Sequence, residues 1–171
     1  IIISSRTLNI DNPKLNCRLK GYEQFSPKRI ILDKNLDISL SSYVFKSAKK
    51  GNTIIFYESS NNLKIKALKN KGINLIKSKL NNNNNFDLKI ILKKLYILGI
   101  KNLLVEGGDK ITKNLLRKRL IDQFYLFKSP KTLSNNKKNQ SFTSLNVLNR
   151  YGSKSRISSK LAKDSITIYK R

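Results

Sequence analysis

Glu106 and the two glycines after it stand where residue types and spacing best suit chemistry, in the stretch Asn102-Leu103-Leu104-Val105-Glu106-Gly107-Gly108. Residues 103–105 form an apolar burst of strand length, and the glycines stop it. Residues 109–120 then read as a helix, with Ile111, Leu115 and Leu116 close to a helical apolar stripe. The local plan is buried strand, glycine turn, helix. A glycine turn lets backbone N–H groups approach a ligand, and the amino end of the following helix favours an anion. Glu106 falls at the carboxyl end of the strand, the edge at which open α/β sheets bind ligands, and its carboxylate suits a ligand N–H or hydroxyl. The competing reading is a strand-end glutamate facing water, with glycines needed only for tightness. A Gly-Gly pair does not separate the two.

Other chemistry is excluded by what is missing. The chain has no His and a single Cys, Cys17. Imidazole is the commonest general base and metal ligand, so Ser-His-Asp catalysis and metal chemistry are excluded within the chain, and one thiol provides neither an intrachain disulfide nor a metal-binding spacing. The 36 Lys and Arg against 10 Asp and Glu give a formal charge of +26, which by itself points to nucleic acid or another polyanion. The lysines are spread from end to end, however, and come with an excess of Asn and Ile, including the run 81–85. That is the imprint of an AT-rich genome on tolerant surface positions. The aromatics fall in apolar strands such as Phe56-Tyr57 and residues 124–127, where a core is expected, instead of alternating with lysines as a stacking surface requires. A nucleic-acid-binding α/β domain is the alternative reading.

The elements that must position Glu106 can be read in order. A length of 171 residues suits one domain with a substantial core. No apolar run approaches the ~18–20 residues of a membrane helix, no signal peptide is visible, and a cytoplasmic place is expected. The chain has no Met and begins with Ile1-Ile2-Ile3, which resembles the tail of a buried strand, so a preceding portion is expected. Strands are predicted at 1–3, 28–33, 53–57, 73–76, 100–106 and 122–128, and helices at 63–71, 86–98 and 109–120. In the second helix Asp87 is the cap and Leu88, Ile91, Leu92 and Leu95 form the stripe. Residues 4–6 read as a polar break, Asp11-Asn12-Pro13 as a turn, 81–85 as a disordered tip and 131–140 as a mobile loop. Residues 145–147 and 165–169 read as C-terminal strands joined in a hairpin by the basic stretch 152–160. Alternating strands and helices predict a parallel sheet covered by helices, with antiparallel additions at the end.

Three stretches, in this order, carry a resemblance. They are Thr7-Leu8-Asn9-Ile10-Asp11-Asn12-Pro13-Lys14-Leu15-Asn16-Cys17-Arg18, then Pro27-Lys28-Arg29-Ile30-Ile31-Leu32-Asp33, then Leu104-Val105-Glu106-Gly107-Gly108 with Leu115-Leu116 and Leu120-Ile121-Asp122 behind it. The chain resembles the reductase domain of the bifunctional riboflavin-biosynthesis deaminase/reductase. The resemblance implies a dihydrofolate-reductase-like α/β fold, with a mixed, mostly parallel central sheet flanked by helices and C-terminal antiparallel strands. It also implies NADPH-dependent reduction of 5-amino-6-(5-phosphoribosylamino)uracil, by hydride transfer to C1′ of the ribose. Such an enzyme needs no His, metal or nucleophile of its own, because the cofactor does the reacting and the protein positions it.

By the same resemblance Leu15, Arg18 and Glu106 would contact the phosphorylated pyrimidine substrate, Arg18 as a fork on its phosphate. Thr7 and Asp11 would contact NADPH. Gly108, Asp109, Lys110, Ile111, Thr112, Lys113 and Asn114 would hold a cofactor phosphate at the amino end of the helix. No residue is assigned as proton donor. The family places Gly where Ser4 and Arg6 stand, and a Ser where Lys34 stands; Lys34 could reach the 2′-phosphate of NADPH as a point charge. These departures are also what a decayed paralogue, keeping the fold and binding nothing, would show. The resemblance further implies that residues 1–171 are the reductase domain without its first strand, that the zinc deaminase domain lies upstream in the full-length protein, and that the domain forms a homodimer or higher homo-oligomer.

Overall fold

The computed structural model describes residues 1–106, 108–130, 145–149, 151–157 and 164–171. The chain divides into two compact units, Ile1–Gly108 and Asp109–Arg171.

The first unit is built on a parallel sheet of order β1-β2-β3-β4, formed by Ile2–Ser4 (β1), Arg29–Leu32 (β2), Thr53–Tyr57 (β3) and Asn74–Lys77 (β4). Its register aligns Ile2 with Ile30, Ile30 with Ile54, and Ile54 with Asn74. All four residues of β2 are buried: Arg29, then Ile30-Ile31-Leu32, the continuous apolar run expected of a parallel strand covered on both faces. Ile3, Ile31 and Ile55 meet Leu8, Leu36, Ile38, Val44 and Leu68 in the core on one face.

Helices Asn62–Asn70 (α3) and Leu88–Ile97 (α4) follow the sequence closely. Asp87 caps α4 by accepting the Lys89 N–H, and Leu88, Ile91 and Leu95 are buried. Both helices end alike. Gly72 and Gly99 adopt φ of 82° and 80°, and the next residue donates its N–H five residues back, Ile73 to Leu68 and Ile100 to Leu95. This satisfies end carbonyls that would otherwise lack partners.

The differences have local causes. Residues 4–6 are not a break but the start of a helix, Ser5–Asp11 (α1), because the Ser4 side chain accepts the Thr7 N–H and caps it. Asp11 is the last helical residue; the turn is made by Asn12, at φ 43°. A four-residue helix, Tyr43–Lys46 (α2), is too short to show a period. Residues 81–85 form an ordered turn. The Asn81 side chain accepts the N–H groups of Asn83 and Asn85, and a Leu80–Phe86 bridge closes it. The expected strand at 100–106 is reduced to a single parallel bridge between Val105 and Ile2, on the side of β1 away from β2, and Leu104 is 61% exposed.

The second unit contains Asp109–Arg117 (α5), Gln123–Lys128 (β5), Leu145–Leu148 (α6), Ser153–Ile157 (β6) and Ser165–Lys170 (β7). Its antiparallel sheet has the order β5-β7-β6, so parallel and antiparallel strands lie in separate sheets. Helix α5 stops earlier than expected, and Arg119 at φ 53° takes the place of a terminal glycine. Residues 145–147 are helical, not extended. The basic stretch expected to join a hairpin itself provides strand β6. Phe124 packs on Tyr169 at 6.4 Å, but Tyr125 and Phe127, read from sequence as core, are exposed. The expected loop at 131–140 lies outside the described residues. Among the described residues, no helix is long and apolar enough to cross a membrane and no group of acidic, Cys or His side chains could hold a metal.

Candidate active site at the carboxyl edge of the parallel sheet

β1 leads through α1 to β2 and onward to β4, while the Val105 segment returns to the opposite side of β1. The order of connections reverses there. In open α/β sheets ligands bind outside the carboxyl ends of the strands at such a reversal. The Ile2 N–H donates to the Leu104 carbonyl at 2.8 Å and the Glu106 N–H to the Ile2 carbonyl at 3.1 Å. These bonds bring Glu106, exposed, to the carboxyl side of β1. Gly107 lies outside the described residues. Gly108 has φ 81°, and a Cβ added to it would stand 3.5 Å from Thr7 Oγ1 and 3.7 Å from Ser4 Oγ. The glycine thus serves a backbone conformation, not a tight clearance.

Helix α1 presents three faces. Leu8 is buried in the core. Ser5, Asn9 and Asn12 lie on a face turned to the chain after β2: the Asn9 side chain donates to the Asp37 carbonyl and accepts the Ser39 N–H, and Asn12 accepts the Tyr43 N–H. Thr7 and Asp11, four residues apart, share a third face. Thr7 Oγ1 lies 3.0 Å from Ser4 Oγ. Ser4 itself, at φ −87°, needs no glycine, and Arg6 is exposed.

Lys34 continues from the end of β2. Its carbonyl accepts the N–H groups of Glu58 and Ser59, and its Nζ lies 2.7 Å from Asn84 Oδ1. A neutral amide holds the ammonium without cancelling its charge, which leaves it suited to an anion.

Not every expected contact gathers here. Leu15 is buried in the core of the first unit at φ 51°, as its apolar character alone suggests. Arg18 is exposed in the loop between α1 and β2. Asp109, Lys110, Ile111, Thr112, Lys113 and Asn114 belong to the second unit, in the first turns of α5. There the Ile111 side chain is buried with Leu115 and Leu116, leaving only its backbone for a ligand. Asp109 Oδ1 is buried without a hydrogen-bond partner. A carboxylate at a helix amino end complements the dipole and suits a ligand hydroxyl or N–H better than a phosphate.

Two residues of the second motif had no role in the sequence. Arg29, at the opposite end of β2, is buried and donates to Thr53 Oγ1, Ser47 Oγ, the Ser47 carbonyl and Asn52 Oδ1. Burial pushes its pKa below the ordinary value. It acts as a structural clamp on neutral acceptors. Asp33 is buried at the carboxyl edge, and burial raises its pKa against the opposing effect of hydrogen bonds from the Asp37 and Ile38 N–H groups. The signal for both was a charge at each end of a fully aliphatic strand.

Residues 1–166 match the RibD C-terminal domain. The chain belongs to this family. It is 34% identical over 133 residues to riboflavin biosynthesis protein RibD of Aquifex aeolicus, covering 78% of this chain and 35% of that protein. It is 29% identical over 131 residues to the 2,5-diamino-6-ribosylamino-4(3H)-pyrimidinone 5′-phosphate reductase of the same organism, covering 76% of this chain and 56% of that one. The chain therefore spans from about a third to somewhat over half of the length of these curated relatives. Its structure matches RibD of Acinetobacter baumannii with a TM-score of 0.71 at 18% identity, over 99% of this chain and 46% of that one. A pyrimidine reductase-like protein of Corynebacterium diphtheriae gives 0.70 at 18%, over 99% and 74%. The fold is the dihydrofolate-reductase-like α/β fold of RibD reductase domains.

Proposed function

We propose that this RibD C-terminal domain is a riboflavin-pathway reductase that uses NADPH to reduce 5-amino-6-(5-phosphoribosylamino)uracil to 5-amino-6-(5-phosphoribitylamino)uracil. The observation that carries the reading is the meeting of Ser4, Thr7, Glu106 and Gly108 at the reversal point of the sheet, in a chain matched by the family over residues 1–166. NADPH, when bound, supplies the hydride that reaches C1′ of the ring-opened ribose. The chain supplies the rest. Thr7 and Asp11 place hydroxyl and carboxylate acceptors on one face of α1 toward the nucleotide. The left-handed Gly108 carries the backbone past the Ser4 and Thr7 hydroxyls. Lys34 keeps its charge for a 2′-phosphate, which favours NADPH over NADH. Gly108, Asp109, Lys110, Ile111, Thr112, Lys113 and Asn114 keep the cofactor-phosphate role that the family resemblance implies for them. Glu106 holds a polar group of the substrate, Arg18 its phosphate, and Leu15 packs beneath it.

The full-length protein carries a deaminase domain upstream, in keeping with the length of the RibD relatives, and the reductase domain associates as a homodimer or larger homo-oligomer; light scattering of the purified chain tests the latter. The activity is tested by following NADPH oxidation with the phosphoribosylamino substrate. Turnover that Glu106→Ala and Arg18→Ala both reduce supports the reading. A folded, nucleotide-binding chain with no turnover of this substrate contradicts the substrate assignment.

A further inference from the structure

Among the described residues two buried side-chain oxygens lack a hydrogen-bond partner, Asp109 Oδ1 and Asn16 Oδ1. Asp109 falls in the stretch that already has the cofactor-phosphate role. Asn16 has no role so far. A buried acceptor without a bond carries the full desolvation penalty of the group, so its presence needs a reason. The ordinary reasons fail for Asn16. Other loop asparagines of this chain turn the side-chain oxygen on backbone: Asn12 accepts the Tyr43 N–H, Asn61 the Lys64 N–H, and Asn81 the N–H groups of Asn83 and Asn85. Asn16 Oδ1 accepts none of these kinds of bond. Asparagine is also tolerated at positive φ, as at Asn12 and Asn84, but the left-handed position here is its neighbour Leu15. A surface position tolerant of any polar residue would not bury the oxygen.

The segment around Asn16 holds it in place. Leu15 is buried in the core at φ 51°, a conformation rare for a bulky side chain and kept only where the surroundings impose it. On the other side the Cys17 N–H donates to Ser26 Oγ at 3.1 Å, and Ser26 Oγ donates to the Glu23 carbonyl at 2.5 Å. Asn16 is thus presented by a strained residue before it and a tied one after it. It lies between Leu15 and Arg18, the two residues of the first motif expected at the substrate. An amide oxygen takes an N–H or O–H donor and offers nothing to a phosphate, so it complements the Arg18 guanidinium instead of duplicating it.

We infer that Asn16 is a further substrate-contact residue, whose Oδ1 accepts a hydrogen bond from an N–H of the pyrimidine or a hydroxyl of the ribose chain while Arg18 takes the phosphate. The inference rests on the proposed activity, and its test keeps the two apart. Wild type and Asn16→Leu are compared in steady-state kinetics with 5-amino-6-(5-phosphoribosylamino)uracil, in NADPH affinity and in urea unfolding. Loss of a contact already made in the ground state raises KM and leaves kcat. KM is expected to rise about tenfold, with kcat and NADPH affinity within about twofold, and the urea midpoint should be no lower than that of the wild type, because the lost oxygen had no partner within the chain. Unchanged KM overturns the inference, and so does an equal loss of NADPH affinity, which marks a general disturbance of the domain. Where Asn16→Leu does not fold, Asn16→Ala is read by the same kinetic criteria. With KM raised, inhibition by ribose 5-phosphate names the donor: weaker inhibition in the variant assigns a ribose hydroxyl, and equal inhibition a pyrimidine N–H. A wild type without turnover refutes the proposed activity by itself. Calorimetric binding of 5-amino-6-(5-phosphoribitylamino)uracil then decides the contact: about tenfold weaker binding by the variant upholds it, and equal binding, or none by the wild type, overturns it.

Discussion

Replacing Lys34 by Ala tests the proposal that this domain prefers NADPH to NADH. The Lys34 backbone is pinned by the Glu58 and Ser59 N–H groups, and its ammonium is held 2.7 Å from Asn84 Oδ1, so most of its ordering is complete before a ligand arrives. A hydrogen bond to a charged group contributes about 1.5–3 kcal/mol, and the half-exposed position of Lys34 places it at the lower end, where about 1.4 kcal/mol is tenfold in affinity. Lys34→Ala is therefore expected to weaken NADPH by about tenfold and leave NADH within about twofold. Asn84→Asp provides the sharper perturbation. It has nearly the same shape and tolerates the observed φ of 57°, yet it replaces a neutral tether with a carboxylate that neutralises the lysine. Its NADPH affinity should fall toward that of Lys34→Ala, again with NADH unaffected. Fluorescence titrations of both nucleotides at one ionic strength give the comparison. Equal losses for NADPH and NADH, or no loss for either, refute the argument that Lys34 reads the 2′-phosphate.

Three further outcomes concern stability. Gly72→Ala brings a Cβ to 2.8 Å from the Lys50 nitrogen at φ 82°, and chemical denaturation should show a loss of about 2 kcal/mol or more. Arg29→Met removes the donor to Thr53, Ser47 and Asn52 and should cost about 1–3 kcal/mol by the same measurement, without changing NADPH affinity in the folded protein. Asp33, with its folded pKa raised by burial, binds its proton at higher pH in the native state than in the unfolded chain. Its ionisation therefore lowers stability as pH rises from the ordinary carboxylate value near ~3.9 through the raised one, and urea midpoints should show this slope in the wild type and lose it in Asp33→Asn.

The fold was legible where one local signal dominated. Ile30-Ile31-Leu32 and Ile54-Ile55-Phe56 could only be buried strands, and the stripe of α4 between Asp87 and Gly99 had both caps written in the chain. Helices α1, α2 and α6 have seven, four and four residues, too few for a period to emerge, and the decisive signal for α1 was one hydroxyl cap. The candidate site divides similarly. Glu106, Gly108, Thr7 and Asp11 followed from the motifs. Leu15, whose apolar type alone pointed to core, is buried there. The ties of Asn9 to the Asp37 carbonyl and of Lys34 to Asn84 join residues distant in sequence, 28 and 50 apart, and no spacing rule reaches across that separation. The asparagine run was read from composition as disordered, whereas its side chains satisfy its own backbone.

The most direct test of the account is an NADPH titration followed by backbone amide NMR shifts. The account predicts saturable changes concentrated at 4–8, 34–38 and 106–108 at the carboxyl edge of the parallel sheet. A folded chain that shows no saturation, or shifts scattered over the surface lysines without a focus at that edge, would contradict it.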